Sequence, residues 1–277
     1  MEKTMSYAEN RKKHLEWYAN EKNLPIGGTW QGKGEYPHIL KFDEAKNQKK
    51  NRKNKWETVC KWNLLKRDYR DLFFESKMHR FAHHLSSSQV LCYNFFRPLI
   101  TKESHPTTVL INLLSEKLEI TISPDAKCAF EYCPDKEENT QFDFYIQDDT
   151  NHLKLYFEIK YTEYGFGKAE DDESHRDKFQ NTYLKKFLPK AYCLKNQEPQ
   201  FEEFAESYQL YRNAVRITDE KKYLILLYPK KNTVVAHQAN EFIKKNISKD
   251  YQKNIKCIHW EDIANQNPKL YEKYFAE

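Results

Sequence analysis

Glycine is scarce in this sequence, with six residues in 277, and no GxxxxGK[ST] run occurs among them. The phosphate-cradling loop that such a run forms is therefore excluded. No order of Ser, His and Asp residues indicates a nucleophilic triad either. Two common types of hydrolase are thereby set aside.

Cysteine pairs with metal-ligand spacing are also missing. None of the six cysteines stands in a CxxC motif, and the closest two have no second pair or neighbouring histidine to complete a zinc site. Scattered thiols of this kind are typical of a reduced, cytosolic protein. The cysteines are Cys60, Cys92, Cys128, Cys133, Cys193 and Cys257.

Long apolar runs are absent as well. Residues 1–13 are polar and charged, without the apolar core of a secretory signal. No segment approaches the roughly eighteen apolar residues that span a bilayer. We therefore expect a cytoplasmic protein that has no membrane partner.

Charge is plentiful but unevenly spread, with 46 basic and 41 acidic residues and a net charge of +5. The stretch 46–55 is strongly basic, whereas 135–138 and 170–173 are acidic. We predict that the basic stretch is a loop whose side chains contact DNA phosphates, and a merely solvated surface is the alternative. The residues expected to bind DNA are Lys49, Lys50, Arg52 and Lys53.

The spacing of apolar residues predicts the order of the elements. Helical spacing runs over 56–81, and Ser86-Ser87-Ser88 predicts the start of a mostly buried helix that Pro98 stops. Alternating and β-branched segments predict strands further on. We expect an α/β fold with a mixed central sheet flanked by helices and an N-terminal helical extension. The further elements are strands at 127–132, 141–146, 153–161, 222–228 and 255–260, and helices at 177–196, 202–214 and 241–246.

Two of these strands carry charged residues on either side of a hairpin tip. If the turn is Asp149-Thr150, Asp143 lies opposite Tyr156. Because side chains alternate along a strand, Asp143, Glu158 and Lys160 then project from the same face. A slip of one residue would move Asp143 to the other face.

Two carboxylates and a lysine on one face suit the hydrolysis of a phosphodiester. Mg²⁺ is typically held by one or two carboxylates together with substrate phosphate, and Mn²⁺ could replace it. Glu-x-Lys also occurs at Glu44, Glu75 and Glu220, but only Glu158 combines a strand with a preceding aspartate. The alternative is an exposed strand face with charge pairs that contribute about 0.2–1 kcal/mol each.

Asp143, followed after fourteen residues by Glu158-Ile159-Lys160, resembles the signature of the PD-(D/E)XK phosphodiesterase superfamily. Phe142 replaces the proline of that signature. The α-β-β-β-α-β order over 88–228 is similar to the superfamily's restriction-endonuclease-like core. Segments 87–89, 94–99 and 164–169 resemble a restriction-endonuclease-like branch, so the resemblance covers roughly residues 80–230.

The resemblance implies a role for each matched residue. Asp143 and Glu158 would be ligands of Mg²⁺, the backbone carbonyl of Ile159 would complete the metal shell, and Lys160 would position the attacking water. Glu131, on the preceding strand, would be a third acid, and an exposed strand glutamate is the alternative.

Two polar residues on helices are further candidates. Gln89 would support the site from the start of its helix, although capping of that helix explains it almost as well. Lys178 would contact the scissile phosphate, although an ordinary helix start explains it equally.

Together these observations predict an N-terminal extension over 1–80 and a nuclease domain over 81–277. The expected activity is Mg²⁺-dependent hydrolysis of DNA by a restriction or defence endonuclease. A repair or recombination nuclease that acts on structured or single-stranded DNA would use the same residues. A non-catalytic DNA-binding module with this fold is a further alternative. A homodimer is compatible with duplex cleavage, because two active sites can each cut one strand.

Overall fold

The chain folds into two compact units in a computed structural model that describes residues 5–136 and 138–276. One unit comprises residues 5–100 and 260–276, and the other comprises residues 101–259. The predicted boundary after residue 80 differs from this division, because Asn94 bonds to Asn63 and Tyr274 and so ties its helix to the first unit. Residues 1–4, 137 and 277 of the predicted ranges lie outside the described residues.

Helices occur in both units, and in the described ranges none is long and apolar enough to cross a membrane. The α-helices are α1 (Tyr7–Glu21), α2 (Gln48–Thr58), α3 (Ser88–Phe96), α4 (Thr108–Leu118), α5 (Glu173–Lys178), α6 (Phe201–Glu206), α7 (Tyr208–Ala214), α8 (Thr233–Asn246) and α9 (Pro268–Tyr274). The π-helical segments are Val59–Asn63 and Phe179–Phe187. The 3₁₀ turns are Arg67–Leu72, Glu75–Lys77, Arg97–Leu99, Leu188–Lys190, Lys249–Asn254, Trp260–Asp262 and Ala264–Gln266.

The first unit contains a hairpin that the sequence did not predict. Strands β1 (Ile26–Trp30) and β2 (Lys33–Leu40) pair antiparallel. Gln31 and Gly32 form the turn with φ of 54° and 74°. Positive φ at both central residues is the conformation that joins two strands with a right-handed twist.

Two predictions of secondary structure in the first unit need correction. Most of the basic stretch 46–55 is helix α2 rather than a loop, because the side chain of Asn47 caps it and its lysines favour the helix. The pattern over 56–81 is not one helix. The backbone becomes extended at Leu64, and the side chain of Asn94 accepts the next N–H, that of Leu65, at 2.7 Å.

The second unit is built on a sheet with the order β3-β4-β5-β6-β7. The first three strands pair antiparallel, whereas β5, β6 and β7 pair parallel, so the predicted mixed sheet is confirmed. Strand β6 is buried along most of its length, as its near-continuous apolar sequence predicts. The strands are β3 (Lys127–Tyr132), β4 (Phe142–Asp148), β5 (Leu153–Ile159), β6 (Lys222–Tyr228) and β7 (Ile255–His259).

Two predicted helices of this unit are interrupted. The helix expected at 177–196 begins earlier, as α5, and continues as π-helical and 3₁₀ segments as far as Lys190. The helix expected at 202–214 divides into α6 and α7, because Ser207 leaves the helical conformation with φ −117° and ψ 32°. Helix α7 is therefore separate from helix α6.

The hairpin of β4 and β5 has a wider turn than predicted. Asp148 pairs with Leu153, so four residues turn rather than two. The carboxylate of Asp148 stabilises this turn by accepting from the backbone N–H and the side-chain amide of Asn151. The same register places Asp143 opposite Glu158, which corrects the predicted pairing with Tyr156. A shift of two residues preserves the face of every side chain, so the predicted shared face remains.

Candidate active site

Three acidic residues lie at the same level on neighbouring strands. Asp143 on β4 faces Glu158 on β5, and its Oδ2 accepts from the Ile159 N–H at 2.7 Å. The neighbours of Glu131 on β3 pair with the neighbours of Asp143, so Glu131 lies on the other side of Asp143. Glu131 has φ 48°, a left-handed conformation that a glutamate in a strand rarely adopts.

Glu158 is buried, and both of its oxygens are bonded. Its Oε1 accepts from Gln209 Nε2 at 2.8 Å and lies 3.0 Å from Lys160 Nζ. Its Oε2 accepts from Asn213 Nδ2 at 3.0 Å. Gln209 and Asn213 lie one turn apart on α7, and the sequence analysis missed both. Two amides with i,i+4 spacing in an apolar helix were the available signal.

Lys160 is a buried cation between Glu158 and Gln209. Its backbone N–H donates to Leu227 O on β6 at 2.9 Å, and its Nζ donates to Gln209 Oε1 at 2.8 Å. Burial alone would lower the pKa of Lys160, but the charges of Glu158, Glu163 and Asp143 outweigh it and raise the pKa above its usual value. Lys160 is therefore an ammonium group near neutral pH, and it donates hydrogen bonds rather than acting as a base.

The surroundings of Asp143 disfavour its charged form. Burial, together with the negative charges of Glu158 and Glu131, raises the pKa of Asp143 well above its usual range. The Ile159 N–H and the Lys160 ammonium act against this rise. A cation between these carboxylates would reduce their mutual repulsion.

The donor set suits a hard cation with an open coordination sphere. Among the residues that the structure describes, no three His, Cys, Asp or Glu side chains are grouped so that they could hold a metal ion by themselves. Carboxylate oxygens that leave positions for water and phosphate match the way proteins bind Mg²⁺. A closed zinc centre would need four protein ligands.

The loop after Lys160 is anchored to the same helix. Gly167 N–H donates to Gln209 Oε1 at 2.9 Å, and the backbone N–H of Gln209 donates to Gly167 O at 3.0 Å. Gly165 has φ 146°, and a Cβ there would collide with the side chain of Gln238. This loop therefore requires glycine at residue 165.

Gln89, the predicted supporting residue, belongs to the first unit. Its Oε1 accepts from His79 N–H at 2.8 Å, and its Nε2 donates to Lys77 O at 2.9 Å. Both ends of the amide thus hold the segment before α3. A role for Gln89 at the active site stays a prediction.

The candidate DNA-binding residues have different surroundings. Lys49 and Lys50 are exposed on α2, and Lys53 lies 3.9 Å from the carboxylate of Glu57. Lys178, in the second unit, donates to Glu138 O at 2.8 Å.

Arg52 stabilises the fold through hydrogen bonds to the backbone. Its guanidinium donates to the backbone carbonyls of Glu75, Ser76 and Met78. These bonds attach α2 to the turn at Glu75–Lys77 and direct the guanidinium toward the protein.

This chain is thus an α/β protein whose mixed sheet presents two carboxylates and a lysine on one face. The chain belongs to the family described as Restriction Endonuclease associating with ARP, whose model matches residues 12–277. The predicted relation to restriction endonucleases, and with it a nuclease role, is thereby supported at the level of the family. No curated protein and no solved structure matches the chain.

Proposed function

We propose that this chain is a metal-dependent DNA endonuclease of the PD-(D/E)XK type with a restriction or defence role. The observation that carries the proposal is the placement of Asp143, Glu158 and Lys160 on one face where β4 and β5 pair. Membership of a restriction-endonuclease family supports DNA as the substrate.

The acidic residues are the proposed holders of Mg²⁺, or of Mn²⁺ in its place. Asp143 and Glu158 offer carboxylate oxygens, Ile159 offers its backbone carbonyl, and Glu131 is the further acid. When bound, the ion polarises the scissile phosphate and lowers the pKa of the attacking water.

Lys160 supplies positive charge where negative charge develops on the phosphoryl group. Because its pKa is raised, Lys160 keeps its proton and donates to a phosphoryl oxygen or to the attacking water. Gln209 keeps this donor in place, since its carbonyl oxygen accepts from Lys160 while its amide donates to Glu158. Such prearranged donors cost no reorganisation during the reaction.

The test is cleavage of supercoiled and linear duplex DNA in Mg²⁺ and in EDTA. We expect EDTA to abolish cleavage and Lys160→Ala to slow it by about a hundredfold or more. Lys154→Ala is the matched control, because Lys154 lies on the same strand at its opposite end. That variant should cleave at the wild-type rate.

Other outcomes would redirect the proposal. DNA binding without cleavage of duplex, single-stranded or branched DNA would favour the non-catalytic module. Cleavage restricted to branched or single-stranded DNA would favour a repair nuclease. Sedimentation during cleavage would test the homodimer, which stays a prediction.

A further inference from the structure

The tip of the β1–β2 hairpin presents a tryptophan to solvent. Trp30 is 44% exposed, although its ring contacts those of Tyr36, Phe81 and His84, each with centroids 6.3 Å apart. The three contacts are edge-to-face, the arrangement that aromatic rings favour over a face-to-face sandwich. The indole is therefore held by its neighbours while nearly half of it remains accessible.

The turn itself fixes the position of this ring. Trp30 pairs with Lys33 across the two-residue turn, so the lysine stem begins beside the indole. Gly32 adopts its φ of 74° without a steric cost. The tip is thus a short, ordered platform rather than a long loop.

Arg80 and Lys33 are two basic residues at this platform, and the carboxylate of Glu44 accepts at 3.5 Å from the hydroxyl of Thr29, the residue before Trp30. The Arg80 guanidinium lies 4.6 Å from the centroid of the Phe81 ring, and Lys33 is exposed. In the described ranges 5–136 and 138–276, no carboxylate forms an ion pair with Arg80 or Lys33. Neither charge is therefore neutralised by an ion pair with a described residue.

Positive charge is concentrated in the sequence of this unit. Residues 1–100 and 260–277 contain 22 basic and 15 acidic residues, a net charge of +7. Residues 101–259 contain 24 basic and 26 acidic residues, a net charge of −2. A polyanion would therefore be attracted to the first unit more than to the second.

We propose that the hairpin tip binds an unpaired base of DNA, which stacks on Trp30 while Lys33 and Arg80 contact the flanking phosphates. A flat aromatic face with adjacent cations is how proteins hold single-stranded nucleic acid. An apolar protein partner would bury these cations without a counter-charge, which is costly. The proposal rests on DNA being the substrate, as proposed above.

The test measures fluorescence anisotropy of labelled duplexes in EDTA, with the full chain. One duplex carries a single extrahelical base, and the other is fully paired. We expect the wild-type protein to bind the first more tightly and Trp30→Ala to lose about tenfold in affinity for it. Trp30→Phe, which keeps a ring, should retain most of the preference.

Trp17→Ala is the matched control, because Trp17 is 49% exposed on α1 in the same unit. It should bind both duplexes as the wild type does. Removing both cations, by Lys33→Ala with Arg80→Ala, should reduce the slope of log Kd against log salt by up to about two. Equal affinity of the wild type for the two duplexes, or no loss with Trp30→Ala, would overturn the inference.

Cleavage of the fully paired duplex in Mg²⁺ separates this inference from the proposed function. Cleavage without preference for the unpaired base would overturn the inference alone. Trp30-dependent binding without cleavage of any DNA would contradict the endonuclease alone. A wild-type protein that binds no DNA would contradict both.

Discussion

Lys273 on α9 is a cation inside the first unit, only 1% exposed. Its Nζ donates to the backbone oxygen of Asn63 at 2.5 Å and to Asn63 Oδ1 at 2.8 Å. Within the described residues, no carboxylate forms an ion pair with it. Burial therefore lowers the pKa of Lys273 to about 7.

This shift predicts a dependence of stability on pH. The unfolded chain keeps the Lys273 proton up to its ordinary pKa of 10.5, whereas the folded chain releases it above about 7. Between these values the unfolded state binds more protons, so the free energy of unfolding rises with pH, by at most about 1.4 kcal/mol per pH unit. Below about pH 7 both states are protonated, and this contribution to the slope disappears.

Urea unfolding from pH 6 upward checks the prediction. Lys273→Met should lack this rise, so the wild type should gain stability relative to the variant as pH increases above about 7. Lys269→Met, an exposed lysine on the same helix, is the control and should follow the wild type. Parallel curves for the wild type and Lys273→Met would contradict the assigned pKa.

At the residue scale, the sequence indicated which catalytic candidates share a face of the sheet. It did not indicate which side chains form hydrogen bonds with them. Asp143, Glu158 and Lys160 could be placed together because alternation along a strand depends only on parity. Gln209 and Asn213 could not, since they approach Glu158 from a helix about fifty residues further along the chain. Arg52 was assigned to DNA because its carbonyl partners are invisible in a sequence.

At the scale of elements, helix α2 separates lysines that can contact DNA from an arginine that holds the fold. Lys49 and Lys50 are exposed, and no residue of α2 is buried. Arg52 is bonded to the turn at Glu75–Lys77. We therefore expect only the lysines to contribute to a salt-dependent interaction.

Lys49→Ala with Lys50→Ala should weaken binding to fully paired DNA. Each lost phosphate contact should reduce the slope of log Kd against log salt by about 0.9, or up to about 1.8 for both. The matched control is Lys244→Ala with Lys245→Ala, a neighbouring pair of exposed lysines on α8. Unchanged slopes for the α2 variant would show that this helix is only a solvated surface.

Strands were easier to predict than helices in this chain. The bounds of β3 and β6 agree with the alternating or continuous apolar patterns that predicted them. The helical predictions over 56–81 and 177–196 did not anticipate the π-helical and 3₁₀ segments that interrupt them, whose turns contain more or fewer residues than those of an α-helix. Hairpin β1–β2 was missed because its sequence has little hydrophobic alternation.

At the scale of the whole molecule, the two units differ in how the chain builds them. Residues 101–259 are contiguous and contain the complete five-stranded sheet. The first unit is built from two separate stretches of the chain. Hydrogen bonds join these stretches, since Arg11 Nη1 donates to Ala276 O at 3.0 Å and Asn94 bonds to Tyr274. Its first hundred residues therefore depend on the last seventeen described ones.

This difference predicts how fragments behave. A fragment of residues 101–259 should fold and show a cooperative urea transition with a near-ultraviolet circular dichroism signal. A fragment of residues 1–100 should not, because it lacks Tyr274 and the buried Trp260. Cooperative folding of the shorter fragment, or a molten 101–259, would contradict the division into units.

The sequence by itself determined the order of the elements from α3 to β7 along the chain, the mixed sheet and the shared face of Asp143, Glu158 and Lys160. These features follow from local alternation, turn residues and apolar runs, which act over a few residues. Only the tertiary structure decided the register of β4 and β5, the amides from α7 and the return of α9 to the first unit. Each of these depends on contacts between distant segments, and the local pattern is compatible with several such contacts.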